Sequence, residues 1–253
     1  MNKPRLLMPF LSAILCNLML LSPHTCADKL RVAVASNFAL TMAKLADNFE
    51  SKSNHQLLIS SQSTGKHYAQ IQQGAPFDLF FAADSQHPLL LEQQGIAKTD
   101  SRFTYAVGKL VLWGPTAATE AELRKTLQQG EFNYLAIANP KLAPYGLAAQ
   151  QALQQLNLWD NLRTRMVQGE NIGQTMQFIH SGNAQLGFIA QAQLLQLDHY
   201  QRGANWQIPQ SLYRPIEQQA VLLTDSDASR AFVAYIKTPS ALNIIRNSGY
   251  GTP

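Results

Sequence analysis

Short apolar runs alternate with segments whose apolar residues recur at helical spacing, and this alternation constrains the fold more than any other feature of the chain. Residues 30–35 read as a strand; Phe38, Met42, Leu45 and Phe49 then mark one face of an amphipathic helix. Residues 57–60 form the next expected strand, a helix follows Gly65, and the nearly all-apolar 78–82 form a third. Strands that alternate with helices in this way favour a parallel sheet with helices packed on its faces. Asp84 and Ser85, ahead of Pro88, read as a helix start, so the Asp84 carboxylate is expected to cap rather than to catalyse.

The long apolar run 105–113 departs from this rhythm and is expected to be a strand that leaves one lobe and enters another. A second α/β series follows it. Strands are expected at 134–138, 163–167 and 186–190, and helices at 146–156 and 172–180. A return strand at 220–223 and closing helices at 229–236 and 240–247 complete the chain. The expected organisation is a leader at 1–27, the first part of lobe 1 at 28–107, lobe 2 at 108–219, and a return to lobe 1 at 220–253. Each lobe of this α/β fold is expected to be a mixed, mainly parallel sheet flanked by helices.

The first residues read as a secretory signal peptide. Lys3 and Arg5 precede an apolar stretch, and small residues ending at Ala27 supply a cleavage site. Ser12 and Asn17 interrupt the stretch, which is also short for a membrane span of about 20 residues. Cleavage after Ala27 removes two of the 20 basic residues, against 16 acidic ones, and leaves a nearly neutral mature protein. The remaining basic residues are scattered, which argues against a nucleic-acid partner. Both cysteines, Cys16 and Cys26, lie in the leader, so a disulfide framework, a thiolate metal site and a cysteine nucleophile are excluded from the mature chain together.

Four loops stand out because each follows an expected strand and opens a helix. They are Ser36-Asn37, Ser63-Thr64-Gly65-Lys66, Pro144-Tyr145-Gly146 and Asn171-Ile172-Gly173. In an open α/β sheet, ligands bind at the carboxyl ends of strands, and backbone N–H groups at a helix N-terminus favour an anion. One helix terminus contributes about 0.3–1 kcal/mol, and a hydrogen bond to a charged group about 1.5–3 kcal/mol. Singly, each loop is better read as a helix cap. Several converging on one dianion reach micromolar affinity, about −8 kcal/mol. No loop core carries a carboxylate, although Glu170 flanks one. Monohydrogen phosphate carries a proton and needs an acceptor, whereas a fully ionised oxyanion needs only donors.

Other chemistry finds little footing. Thr64-Gly65-Lys66 resembles the end of a phosphate-binding loop, but the preceding glycine is missing and His67 stands where Ser or Thr belongs. His55, His67, His87, His180 and His199 lack ligand spacing and are expected to be structural or superficial. No G-x-S-x-G elbow is present.

Val32–Phe38, Ser63–Ile71, Gly74–Asp84, Arg102–Trp113 and Glu170–Ile172, taken in order, resemble the periplasmic molybdate-binding proteins of ABC transporters. The resemblance implies a type II binding-protein fold that closes on molybdate or tungstate. It implies an inner-membrane ABC permease as partner, a monomer, no cofactor and no catalysis. Ser36, Asn37, Thr64, Tyr145 and Ile172 match ligand positions, with Ser63 as the alternative to Thr64 in register; Tyr145 and Ile172 match positions that donate mainly through backbone N–H. Some members add a tyrosine hydroxyl from the strand at 186–190. Ala190 stands there in this chain, and the Asn37 amide is expected to supply the missing donor. Sulfate or another oxyanion is the alternative ligand, and an enzyme on the same lobes is a more distant alternative.

Overall fold

The computed structural model describes residues 29–198 and 202–252. The expected leader with Cys16 and Cys26, and also His199, lie outside the described residues.

The strands in chain order are β1 (Lys29–Ala35), β2 (Gln56–Gln62), β3 (Leu79–Phe81), β4 (Phe103–Gly108), β5 (Leu110–Gly114), β6 (Leu135–Ala138), β7 (Met166–Gly169), β8 (Leu186–Ala190), β9 (Ala204–Gln207) and β10 (Ile216–Leu222). They form two five-stranded sheets, ordered β2-β1-β3-β10-β4 and β7-β6-β8-β5-β9. The two orders follow one plan. In each, three neighbouring strands are parallel and two more continue the sheet antiparallel. Parallel pairing therefore accounts for half of each sheet rather than most of it.

The apolar run at 105–113 is divided. Residues up to Gly108 pair with β10 in the first sheet, and Leu110 onward pairs with β8 and β9 in the second. The chain thus changes lobes at Lys109. It returns before Ile216, ahead of the boundary expected at 220, because all of β10 pairs within the first sheet. The expected strand at 163–167 also moves: Arg163–Arg165 form a 3-10 turn and the strand begins at Met166.

The helices before the closing pair are α1 (Ala39–Glu50), α2 (Thr64–Gln72), α3 (Gln86–Gln93), α4 (Glu120–Gln129), α5 (Pro144–Gln155), α6 (Trp159–Leu162), α7 (Ile172–His180) and α8 (Gln191–Leu195), of which α1, α2, α5 and α7 matter for the cleft. Helix α1 buries Met42, Leu45, Ala46 and Phe49, the stripe that the 3.6-residue period marks. These residues pack with Leu30, Val32 and Val34 of β1 and with Phe232 and Ile245 from the closing helices α9 (Asp227–Ile236) and α10 (Pro239–Asn247). The elements that follow β1, β2, β6 and β7 all begin at the carboxyl ends of parallel strands, and these four ends face one another between the sheets. A single apolar cluster spans the gap, with Ala35 and Ala83 from lobe 1 and Ala138, Ala143, Tyr145, Ile172 and Ala190 from lobe 2.

Candidate functional site

In lobe 1, β1 ends in a 3-10 turn, Ser36–Phe38. The Ser36 Oγ accepts the backbone N–H of Gly173 from lobe 2 at 3.3 Å, which leaves its own hydrogen free to donate. Asn37 is only 3% exposed. Its Nδ2 donates to Gln218 Oε1 at 2.7 Å and to the Tyr250 hydroxyl at 3.2 Å. Both side-chain N–H groups are therefore engaged, and the expectation that this amide replaces a tyrosine donor is corrected. Asn37 has the backbone of its turn left to offer.

Ser63 is the N-cap of α2, yet its side chain caps nothing. It is buried, and Oγ has no hydrogen-bond partner among the described residues. Such a group is costly unless something in the cleft satisfies it. Thr64 Oγ1 accepts the N–H of Ala83 at 2.9 Å, which again leaves one hydroxyl hydrogen to donate. Gly65 follows, and its N–H donates to the Leu142 carbonyl of lobe 2 at 2.9 Å. A Cβ on Gly65 would lie 3.1 Å from that carbonyl oxygen and 3.2 Å from the Leu142 Cα, so the missing side chain allows the lobes to approach.

Lobe 2 presents backbone instead. Pro144 occupies the first turn of α5, and Ala143 at the N-cap has no side-chain acceptor. The Tyr145 N–H has no protein acceptor among the described residues. In α7 the Asn171 side chain caps Gln174 N–H at 3.0 Å, and Ser36 takes Gly173 N–H. The N–H of Ile172 lacks a partner among the described residues. The side chains of Tyr145 and Ile172 are 1% and 3% exposed and belong to the apolar cluster, so each residue turns its side chain away from solvent.

The four loops are mutually in contact. Loop one meets loop four through Ser36 and Gly173, and loop two meets loop three through Gly65 and Leu142. Lys66 and Glu170 pair across the lobes at 3.3 Å. The Glu170 side chain is 62% exposed, so its carboxylate belongs to the rim rather than the interior. A cavity of about 350 Å³ beside Ser36, Asn37 and Gly173 is lined further by Leu40, Met176 and Leu197, and none of Ser63, Thr64, Tyr145 and Ile172 lines it. Burial raises the hydroxyls of Tyr105, Tyr145 and Tyr250 above the usual tyrosine range, which keeps all three neutral. The loop cores thus offer hydroxyl and backbone donors without an anionic side chain.

At Ala190 the structure shows what stands in the region of the absent tyrosine. The Ala190 N–H donates to Gln193 Oε1 at 3.0 Å, and Gln193 Nε2 donates to the Ile172 carbonyl at 3.1 Å. Gln193 therefore ties the end of β8 to the start of α7. Sequence reasoning missed this residue, as it missed Gln218 and Tyr250. Helix spacing gives no signal for either of the latter, whose bonds to Asn37 cross 181 and 213 residues.

Comparison with known proteins identifies the family and the fold. Residues 30–251 match the bacterial extracellular solute-binding protein family. The molybdate-binding protein ModA of Azotobacter vinelandii is 44% identical over 228 residues, covering 89% of this chain and 90% of that protein. The molybdate-binding protein ModA of Rhodobacter capsulatus is 39% identical over 229 residues, with 89% of each covered. The solved periplasmic molybdate-binding protein of Azotobacter vinelandii superposes with a TM-score of 0.82 at 41% identity, covering 88% of this chain and 99% of that one.

Proposed function

The chain belongs to the bacterial extracellular solute-binding protein family, and from that membership we propose that it captures molybdate or tungstate in the periplasm and delivers it to an inner-membrane ABC permease. Its fold is the two-lobed fold of periplasmic binding proteins, and like its relatives it is not an enzyme. Ser36, Ser63 and Thr64 act as hydroxyl donors from lobe 1. Asn37 acts through its turn, and Tyr145 and Ile172 through their N–H groups from lobe 2. The leader is removed after Ala27, and the mature protein works as a monomer.

One observation carries the reading. Four interlocked loops, two from each lobe, hold hydroxyl and N–H groups whose hydrogens have no protein acceptor among the described residues, and no carboxylate lies in the loop cores. Such a site suits a tetrahedral dianion that carries no proton. Neutral donors also avoid the desolvation cost of a buried ion pair. Lobe contacts that depend on a common anion favour closure, because only the closed form makes all of them.

Native mass spectrometry of protein exported by cells grown with molybdate, tungstate, sulfate and phosphate together tests this directly. The expected species is a monomer without residues 1–27 that carries one molybdate or one tungstate. A species that carries only phosphate or sulfate would reject the ligand, and a full-length membrane-retained chain would reject the route.

A further inference from the structure

The amide of Gln218 is wholly buried on β10, immediately before a register shift between Gln218 and Gln219. The shift leaves Tyr105 of β4 as the extra residue between the partners of Gln218 and Gln219. The hydrogen-bond directions around it follow from donor counting. The Tyr250 hydroxyl has one hydrogen, and it is given to the Asn37 carbonyl at 2.6 Å. The Tyr250 oxygen, 3.2 Å from the Asn37 side chain, must then accept, so the Asn37 NH2 group is the one that faces it. The second hydrogen of that group needs an acceptor, which fixes Gln218 Oε1 toward Asn37 at 2.7 Å. Gln218 Nε2 consequently faces the Tyr145 hydroxyl, at 3.5 Å. Tyr105 adds a hydroxyl 3.1 Å from Gln218 Oε1.

This chain of groups runs from a loop of lobe 1 to a helix of lobe 2, and it lies where the strands cross. Gly108, the last residue of β4, lies so close that a Cβ there would be 2.2 Å from the Tyr145 hydroxyl and 3.1 Å from Gln218 Nε2. Gln218 belongs to the first sheet and Tyr145 packs with the second, so their contact spans the two lobes.

We propose that Gln218 and Tyr250 are positioning residues for anion capture, which hold the Asn37 turn in its donating geometry and, through Gln218, couple that turn to the closed placement of Tyr145. The proposal rests on the oxyanion reading above. Neither side chain donates to the anion; both act through Asn37. Asn37 itself is an anchor whose side chain fixes the turn.

The test uses the mature protein with Gln218→Met, which conserves length and removes the amide, and with Tyr250→Phe, which removes one hydroxyl. Calorimetric Kd for molybdate and the dissociation rate are measured for each single variant and for the pair, and again in an Asn37→Ala background. Each single variant should weaken binding about tenfold, mostly through faster dissociation. The pair should lose less than the product of the two single losses, and Gln218→Met should add no loss once Asn37 is Ala, whereas Tyr250→Phe should still add one because the main-chain carbonyl that its hydroxyl holds remains. A purely structural role would lower the melting temperature and leave Kd within twofold, and that result overturns the proposal. Multiplicative losses overturn it as well. Should Gln218→Met fail to fold, Tyr250→Phe decides alone by the same criteria. A parent protein that binds no oxyanion rejects the functional reading and this proposal together, whereas unchanged variants of a binding parent reject only this one.

Discussion

Lobe 1 brings hydroxyl side chains to the cleft at Ser36, Ser63 and Thr64, whereas lobe 2 brings the backbone of Tyr145 and Ile172 and buries both of their side chains. The contrast matters because the two kinds of donor tolerate different changes. A hydroxyl rotates about its C–O bond to suit the acceptor. A first-turn N–H is fixed by the helix that it opens. On the proposed function, lobe 2 sets the direction of approach and lobe 1 adjusts to the ligand. Substitution should reveal this as sensitivity to side-chain chemistry in one lobe and to backbone chemistry in the other.

Ile172→Pro should have the largest effect. Ile172 is the first residue of α7, where proline fits, and Asn171 already has the extended conformation that a following proline requires (φ −146°, ψ 171°). The substitution deletes the N–H together with part of the buried side chain, so Ile172→Ala measures the packing share; molybdate affinity should fall by about a hundredfold in calorimetry in the proline variant and far less in the alanine one. Thr64→Ala and Ser63→Ala should come next, each losing about ten- to hundredfold. Thr64→Ala also strands the Ala83 N–H, so its melting temperature should fall further than that of Ser63→Ala.

A smaller difference between the lobes should appear in acid. His67, buried in α2 of lobe 1, has its pKa lowered from 6.5 chiefly by desolvation. The unfolded chain then binds the proton more readily than the folded one. Stability is complete above the ordinary histidine value and declines as pH falls through the lowered one. Thermal melts of the ligand-free protein should lose less between pH 7 and pH 5 in His67→Gln than in the parent. Least of all, Ile172→Val should leave molybdate affinity within about twofold while it costs about 0.5–1.5 kcal/mol of stability, since only packing changes.

The alternation of patterns made the core strands, α1, α5 and α7 legible before any coordinates, because burial on one face enforces the period. Residues 105–113 read as one strand passing between lobes, and the structure places the passage at Lys109, between a strand of each sheet. The pattern failed for short or weakly apolar elements. The four-residue edge strand β9 and α4 (Glu120–Gln129) were not anticipated. For α4 a signal existed: Thr119 accepts Glu122 N–H, Glu122 accepts Ala118 N–H, and Gly130 ends the helix at φ 66°. The site loops were legible because Gly, Ser, Thr and Asn cluster after strands. The supports behind them were not, since Gln218 and Tyr250 reach Asn37 only after both sheets have formed.

Competitive calorimetry with molybdate, sulfate and phosphate on the mature protein tests the central claim, that a donor-only cleft selects a large, fully ionised tetrahedral anion. Molybdate should bind most tightly, sulfate less so because it is smaller, and phosphate weakest because no carboxylate lies in the loop cores to take its proton. Phosphate or sulfate displacing molybdate at equal concentration would contradict it.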